Sequence, residues 1–138
     1  MKEVVHARGN ENVTAEHAST FEVTTDDFLT PAGDCILAIE ADRSPADFGP
    51  EFVEACRDAD ATITMTIEAD GHEETVSGHG HPDLELDSDR SMVGRTSDYI
   101  DERTFVLGCE FAAEGFDREL VSALGEGADV TVTVQVEV

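Results

Sequence analysis

Ala61-Thr62-Ile63-Thr64-Met65-Thr66-Ile67-Glu68, shifted by 69 residues, lies over Val130-Thr131-Val132-Thr133-Val134-Gln135-Val136-Glu137. Each stretch alternates polar residues with apolar, largely β-branched ones. A period of two predicts a strand with one face in a core and the other in water. The agreement extends outward along the chain. At a shift of 71, Val5 falls on Val76, Gly9 on Gly80, Asn12 on Asp83, Thr25 on Thr96, Asp27 on Asp98 and Phe28 on Tyr99. At a shift of 70, Cys35-Ile36-Leu37-Ala38-Ile39-Glu40-Ala41 lies over Phe105-Val106-Leu107-Gly108-Cys109-Glu110-Phe111, and at 68 Glu51-Phe52-Val53 lies over Glu119-Leu120-Val121. Four blocks in one order predict an internal duplication, with halves at about 3–70 and 72–138 of a single domain spanning 1–138.

Each half reads β-β-β-α-β. A short strand leads to a Gly turn (Arg8-Gly9-Asn10; His79-Gly80-His81-Pro82), then to an extended segment and an apolar strand. A helix follows, at about 50–58 in one half and 117–125 in the other, and then the alternating strand. Phe48, Phe52, Ala55 and Cys56 share one helical face, with Pro50 at the start. Phe116, Leu120, Val121 and Leu124 repeat that stripe, and Gly125 and Gly127 can stop the second helix. The expected fold is mainly β with two helices (α+β). The duplicated halves are expected to form a pseudo-two-fold, closed or nearly closed β-barrel, since closure hides the edges of alternating strands. A helix-covered β-sandwich is the alternative.

The chain of 138 residues carries 32 Asp+Glu against 8 Lys+Arg, a formal net charge of −24. Lys2 is the sole lysine. This balance argues against a nucleic-acid partner, whose affinity comes largely from neutralised phosphates, and against an anionic membrane surface. The acids are spread along the chain and form no tail. That spread, with the scarcity of lysine, points to a salt-rich cytoplasm, where screening shrinks to about 3 Å at molar salt. No signal-peptide or membrane-spanning pattern is present, so the expected location is cytoplasmic. Cys35, Cys56 and Cys109 form no Cys-x-x-Cys pair and sit in apolar patterns, which predicts reduced packing residues.

Ala7-Arg8-Gly9, Asn12-Val13-Thr14-Ala15 with His17, Thr20-Phe21-Glu22-Val23-Thr24 and Phe28-Leu29-Thr30-Pro31-Ala32-Gly33-Asp34-Cys35-Ile36 together resemble the archaeal family filed as domain of unknown function 371. Gly80-His81-Pro82, Ser97-Asp98-Tyr99 and Arg103-Thr104 extend the resemblance over essentially the whole chain. It implies a small archaeal protein and no assigned activity. The chain departs from the family's pattern at three places. Asn10 stands where the family tends to have a histidine, His79 stands where it tends to have an arginine, and Ala112-Ala113-Glu114 lacks a basic residue common there.

His6, His17, His79 and His81 flank the two Gly turns. His79 and His81 have the spacing to ligate one divalent metal from the same side of a strand or loop; the alternative is two polar turn residues. The loop Thr30–Asp34 has no full counterpart in the other half. Asp34 there is a candidate general base or a group orienting His17; the alternative is a tight turn. Arg8 is suited to gripping a carboxylate or phosphate, or to a surface ion pair. The leading expectation is a binding protein for a small anionic metabolite or nucleotide, monomeric or homodimeric. Arg8, Asn12, Thr30, Gly80, His81 and Arg103 would contact the ligand, and His17 and Asp34 would carry any catalysis. A small metal-dependent, hydrolase-like enzyme using His17, Asp34, His79 and His81 is a second reading. An interaction subunit with no small-molecule site is a third.

Overall fold

A computed structural model describes residues 1–138. The strands are β1 (Lys2–Arg8), β2 (Thr20–Thr24), β3 (Ile36–Ala38), β4 (Thr62–Ala69), β5 (His72–His79), β6 (Ser91–Arg95), β7 (Thr104–Val106) and β8 (Asp129–Glu137). The helices are α1 (Pro50–Cys56) and α2 (Arg118–Gly125), each preceded by a short 3-10 turn. The order β-β-β-α-β thus occurs twice along the chain.

The expected closed or nearly closed barrel is not formed. The strands divide into two four-stranded sheets. One runs β1-β8-β4-β5 and is antiparallel throughout. The other runs β3-β2-β6-β7, with an antiparallel centre and parallel flanks. Strand pairing between the sheets is limited to two isolated bridges, Arg8 to Ile39 and His79 to Leu107. The backbone gives the reason. β3 and β7 are three residues long, and the residue after each bridge turns left-handed, Glu40 at φ 54° and Gly108 at φ 61°. A strand cannot continue through that conformation, so neither bridge grows into a ladder. The outer edges are blunted instead. The His6 N–H donates to the Asp42 carboxylate at 2.9 Å, and the Ser77 N–H to Glu110 at 2.8 Å, which removes free edge donors.

The pairings also set how the halves correspond. Glu22 faces Ile36 as Val93 faces Thr104, so β3 and β7 superpose at a shift of 68 rather than 70. Lys2 faces Gln135 as Glu73 faces Glu68, so the alternating strands superpose at 67 rather than 69. Thr66 then lies directly opposite Thr133 at the centre of the first sheet.

Both sheets and both helices feed one core of 34 buried residues. Ile63, Met65, Ile67 and Ala69 of β4 and Val130, Val132, Val134 and Val136 of β8 point into it, while the threonines between them face out. Each such aliphatic side chain removed from water contributes roughly 1.5–3 kcal/mol. Phe21 of β2 sits edge-on to Phe105 and Phe116, at 6.1 and 5.5 Å between ring centroids. Its ring also fills the space where a Cβ on Gly94, its cross-strand neighbour, would stand. Phe21 and Met92 therefore face inward, and Glu22 and Arg95 point to the opposite, outer face of the second sheet.

Candidate functional site

The Gly turns pack on helix ends. The Asn10 N–H donates to the Leu124 carbonyl at 2.9 Å, and the His81 N–H to the Cys56 carbonyl at 3.2 Å. A Cβ on Gly9 would overlap the Leu124 carbonyl, and one on Gly80 the Cys56 carbonyl. Gly80 is thus the point where a turn closes onto the end of α1. The orphan carbonyls of the two helices find their donors here.

The histidines near these turns are committed to backbone. His81 Nδ1 accepts from the Asp83 N–H at 2.9 Å, as Asn10 Oδ1 accepts from the Asn12 N–H at 2.8 Å. Asn10 thus makes the same turn as His81, its counterpart in the other half. His17 Nδ1 accepts from the N–H groups of Ser19 and Thr20 at 3.2 and 3.1 Å. An imidazole accepting at Nδ1 keeps its proton on Nε2, and in the neutral form has no second acceptor. His79 Nδ1 lies 2.8 Å from the Gly80 carbonyl and so carries a proton. No set of three ligand atoms forms around His79 and His81; the set that does form is His72, Asp117 and Glu119.

Asn12, His17, Thr30 and Asp34 lie where loop 10–17 meets loop 29–36. Asn12 Nδ2 donates to the Leu29 carbonyl at 2.7 Å. The Asp34 carbonyl accepts from Glu16 and His17 at 3.0 and 3.3 Å. Asp34 and His17 therefore meet through main chain, with no hydrogen bond between their side chains. Thr30 is exposed, and its carbonyl closes the turn to Gly33 at 2.9 Å. Arg8 stands apart on β1, paired with Glu40 beside His6 and Asp129 in a shallow cleft of about 260 Å³.

Arg103 belongs to the largest side-chain network, on the outer face of the second sheet. Arg95 of β6, buried, donates from Nε to Thr104 Oγ1 at 3.0 Å and from Nη2 to Asp101 at 2.9 Å. Asp101 also accepts from the Arg103 N–H at 2.9 Å, from Arg103 Nη2 at 3.1 Å and from Thr104 Oγ1 at 3.1 Å. The Tyr99 ring covers the Arg95 guanidinium, 4.9 Å from its centroid. Arg103 Nη1 reaches toward Glu22 at 3.7 Å, and the Cys35 thiol toward the same carboxylate at 3.6 Å. Burial pushes the Asp101 carboxyl up. The hydrogen bonds and charge of Arg103, with the charge of Arg95, outweigh this and hold it below its ordinary value. Burial, with the Glu22 charge second, pushes the Cys35 thiol up to about 11.

Next to this network a cleft of about 460 Å³ is lined by Glu85, Asp87, Ser88, Asp89, Arg90, Glu102 and Arg103. Arg90 is clamped by Asp26, with Nη2 to Oδ2 at 2.8 Å and Nε to both carboxylate oxygens at 3.1 and 3.2 Å. Those hydrogen bonds hold the Asp26 carboxyl below its ordinary range. Of the residues expected to meet a ligand, Arg103 alone lines this cleft. Arg90, Arg95 and Asp101 escape sequence reasoning. The available signal is that a chain with 8 basic residues in 138 places an arginine at the end of β6, Arg95, where the duplicated position is Thr24.

The chain is thus a two-sheet α+β protein with a repeated element order and a polar network on one outer face. A family model described as domain of unknown function (DUF371) matches residues 5–137, and the chain belongs to that family. It is 42% identical over 130 residues to the uncharacterized protein MJ0206 of Methanocaldococcus jannaschii, covering 94% of this chain and 96% of that one. The resemblance read from the sequence therefore holds. No helix is long and apolar enough to cross a membrane.

Proposed function

We propose that this chain is a binding protein for a small anionic ligand, seated in the cleft beside Arg90 and Arg103. One observation carries the reading. Two of the 8 basic residues face one cleft, and each guanidinium is oriented by a carboxylate behind it, Asp26 or Asp101. A guanidinium fixed in this way keeps part of its donor fork for an incoming carboxylate or phosphate, with less ordering left to do on binding. Glu85, Asp87, Asp89 and Glu102, which line the same cleft, oppose a polyanion. This favours a ligand with one or two negative charges over a nucleic acid.

The test is calorimetric titration of the full chain in about 2 M KCl, where only short-range contacts survive screening. The panel is inorganic phosphate, succinate and a nucleoside monophosphate. One of them is expected to bind at one site per chain, and Arg103→Ala and Arg90→Ala are each expected to weaken it about tenfold or more, about 1.4 kcal/mol. Binding by none of the three, or binding that both variants leave unchanged, overturns the reading.

A further inference from the structure

We infer that His72, Asp117 and Glu119 form a binding site for a divalent transition metal, independent of the Arg90–Arg103 cleft. Their ligand atoms lie within 4.8 Å of one another, and His72 Nδ1 is 3.7 Å from Glu119 Oε2. Metal–ligand bonds near 2.0–2.1 Å put neighbouring ligand atoms about 3.3 Å apart, so small side-chain rotations close the set. The fold supplies the juxtaposition. His72 opens β5, Asp117 caps α2 and Glu119 lies in its first turn. The packing of α2 against β5 brings these starts together.

A comparison of the two halves points to a missing cation here. Glu3 and Glu74 occupy matching places. The Gly49 N–H donates to Glu3 at 2.9 Å, and the Asp117 N–H donates to Glu74 at 3.2 Å. In the first half a guanidinium completes the site, since Arg43 Nη2 reaches Glu3 Oε1 at 2.6 Å and Arg43 also bonds the Val4 and Asp47 carbonyls. In the second half Phe111 stands where Arg43 stands, packed edge-on against Phe116 at 5.2 Å. No Lys or Arg pairs with Glu74, Asp117 or Glu119. The half without its own cation is also the half with the ligands. The positions matching His72, Asp117 and Glu119 in the first half are Met1, Gly49 and Glu51.

One imidazole nitrogen with two carboxylates suits zinc, manganese, iron, cobalt or nickel better than calcium or magnesium, which prefer all-oxygen sets. Three protein ligands leave coordination positions for water.

The experiment titrates the full chain with Zn²⁺ in about 2 M KCl, where condensed, nonspecific cation binding is suppressed. It is read by calorimetry and by the histidine ring resonances in NMR. One equivalent is expected to bind and to shift the His72 ring signals first. His72→Ala is expected to weaken binding tenfold or more, while Glu51→Gln and Arg103→Ala leave it unchanged. Absence of a saturable one-to-one phase overturns the site. So does binding that His72→Ala leaves intact, or a first shift at His79 or His81.

Discussion

His17 Nδ1 and Ser88 Oγ do the same job in the two halves. His17 accepts from the N–H groups of Ser19 and Thr20, and Ser88 accepts from those of Arg90 and Ser91, both at 3.2 Å. The His17 and Ser88 carbonyls match as well, accepting from Glu114 and Ala46 in the two 3-10 turns at 3.1 and 3.0 Å. A hydroxyl and an imidazole nitrogen are thus interchangeable as the turn's acceptor, and so are His81 Nδ1 and Asn10 Oδ1. His17→Ser and His81→Asn should keep unfolding free energy within about 0.5 kcal/mol of the parent, while His17→Ala and His81→Ala lose about 1 kcal/mol for the stranded N–H groups. Urea unfolding measures both. Equal losses for the Ser and Ala variants would refute the shared role.

Glycine substitutions should separate by what surrounds each one. Alanine at Gly9 or Gly80 drives a Cβ into a helix-terminal carbonyl that cannot move without breaking the turn's hydrogen bonds. The expected cost is about 3 kcal/mol. Gly127 has open space but a left-handed backbone, φ 81°, so alanine there costs about 1 kcal/mol. Gly125 ends α2 in a right-handed backbone with room for a methyl group, so alanine there should stabilise by about 0.5 kcal/mol. The melting order Gly125→Ala, parent, Gly127→Ala, Gly80→Ala is the check.

The duplicated order of elements is legible in the sequence because the Gly turns and helical stripes recur. The register is not. A period of two looks the same after a slip of two residues, so Thr64 falls on a threonine at a shift of 67 as well as at 69. Barrel closure was equally hidden. It fails at the left-handed turns of Glu40 and Gly108, and nothing in the sequence of Glu40 announces that conformation. Of the candidate histidines, His17 and His81 accept turn N–H groups through Nδ1, a role that their spacing in the sequence does not announce. The Arg95–Asp101 network depends on which side of β6 faces out, and all five residues of β6 are buried, so no alternation marks the outer side.

Arg95 and Asp101 should make the protein's stability pH-dependent at the acid end. Asp101's pKa in the folded chain lies below the ordinary value of 3.8. Its contribution is therefore fully present above about pH 4 and is lost as pH falls through the depressed folded value. Asp101→Asn leaves the Arg95 guanidinium, 11% exposed, without its counter-charge, at a cost of about 3 kcal/mol. Urea unfolding from pH 7 down to pH 3 should show the gap between parent and variant narrowing only below about pH 4. A gap constant over that range would refute the assignment.

The thiols should be inert in the folded chain. Burial pushes Cys56 and Cys109 up to about 12, and Cys35 to about 11. Few thiolates exist at pH 8, so iodoacetamide should react far more slowly in buffer than in urea, with half-buried Cys35 the first to be modified. Raised folded values also mean that stability from the buried thiols is present below pH 9 and declines as pH rises through 11 to 12. Mass-spectrometric mapping of alkylation sites checks this. Rapid labelling of Cys56 in the folded state would contradict the packing.

Salt should govern stability more than any single contact. Arginine pairs hold five carboxylate side chains, Glu3, Glu22, Glu40, Asp26 and Asp101, out of 32 acids. The other acids have no arginine or lysine partner within ion-pair distance and repel one another. At 0.1 M salt the screening length is about 10 Å, long enough for repulsion between neighbouring strands and loops; at 1 M it is about 3 Å. Exposed pairs such as Arg90–Asp26 weaken with salt, but each is worth at most about 1 kcal/mol, whereas relief of a charge of −24 acts over the whole surface. The melting temperature should therefore climb steadily from about 0.1 to 3 M KCl. Asp and Glu to Asn and Gln exchanges at exposed unpaired positions should flatten that climb without changing the high-salt value. A melting temperature independent of KCl would mean that the acids are balanced by something other than solvent ions.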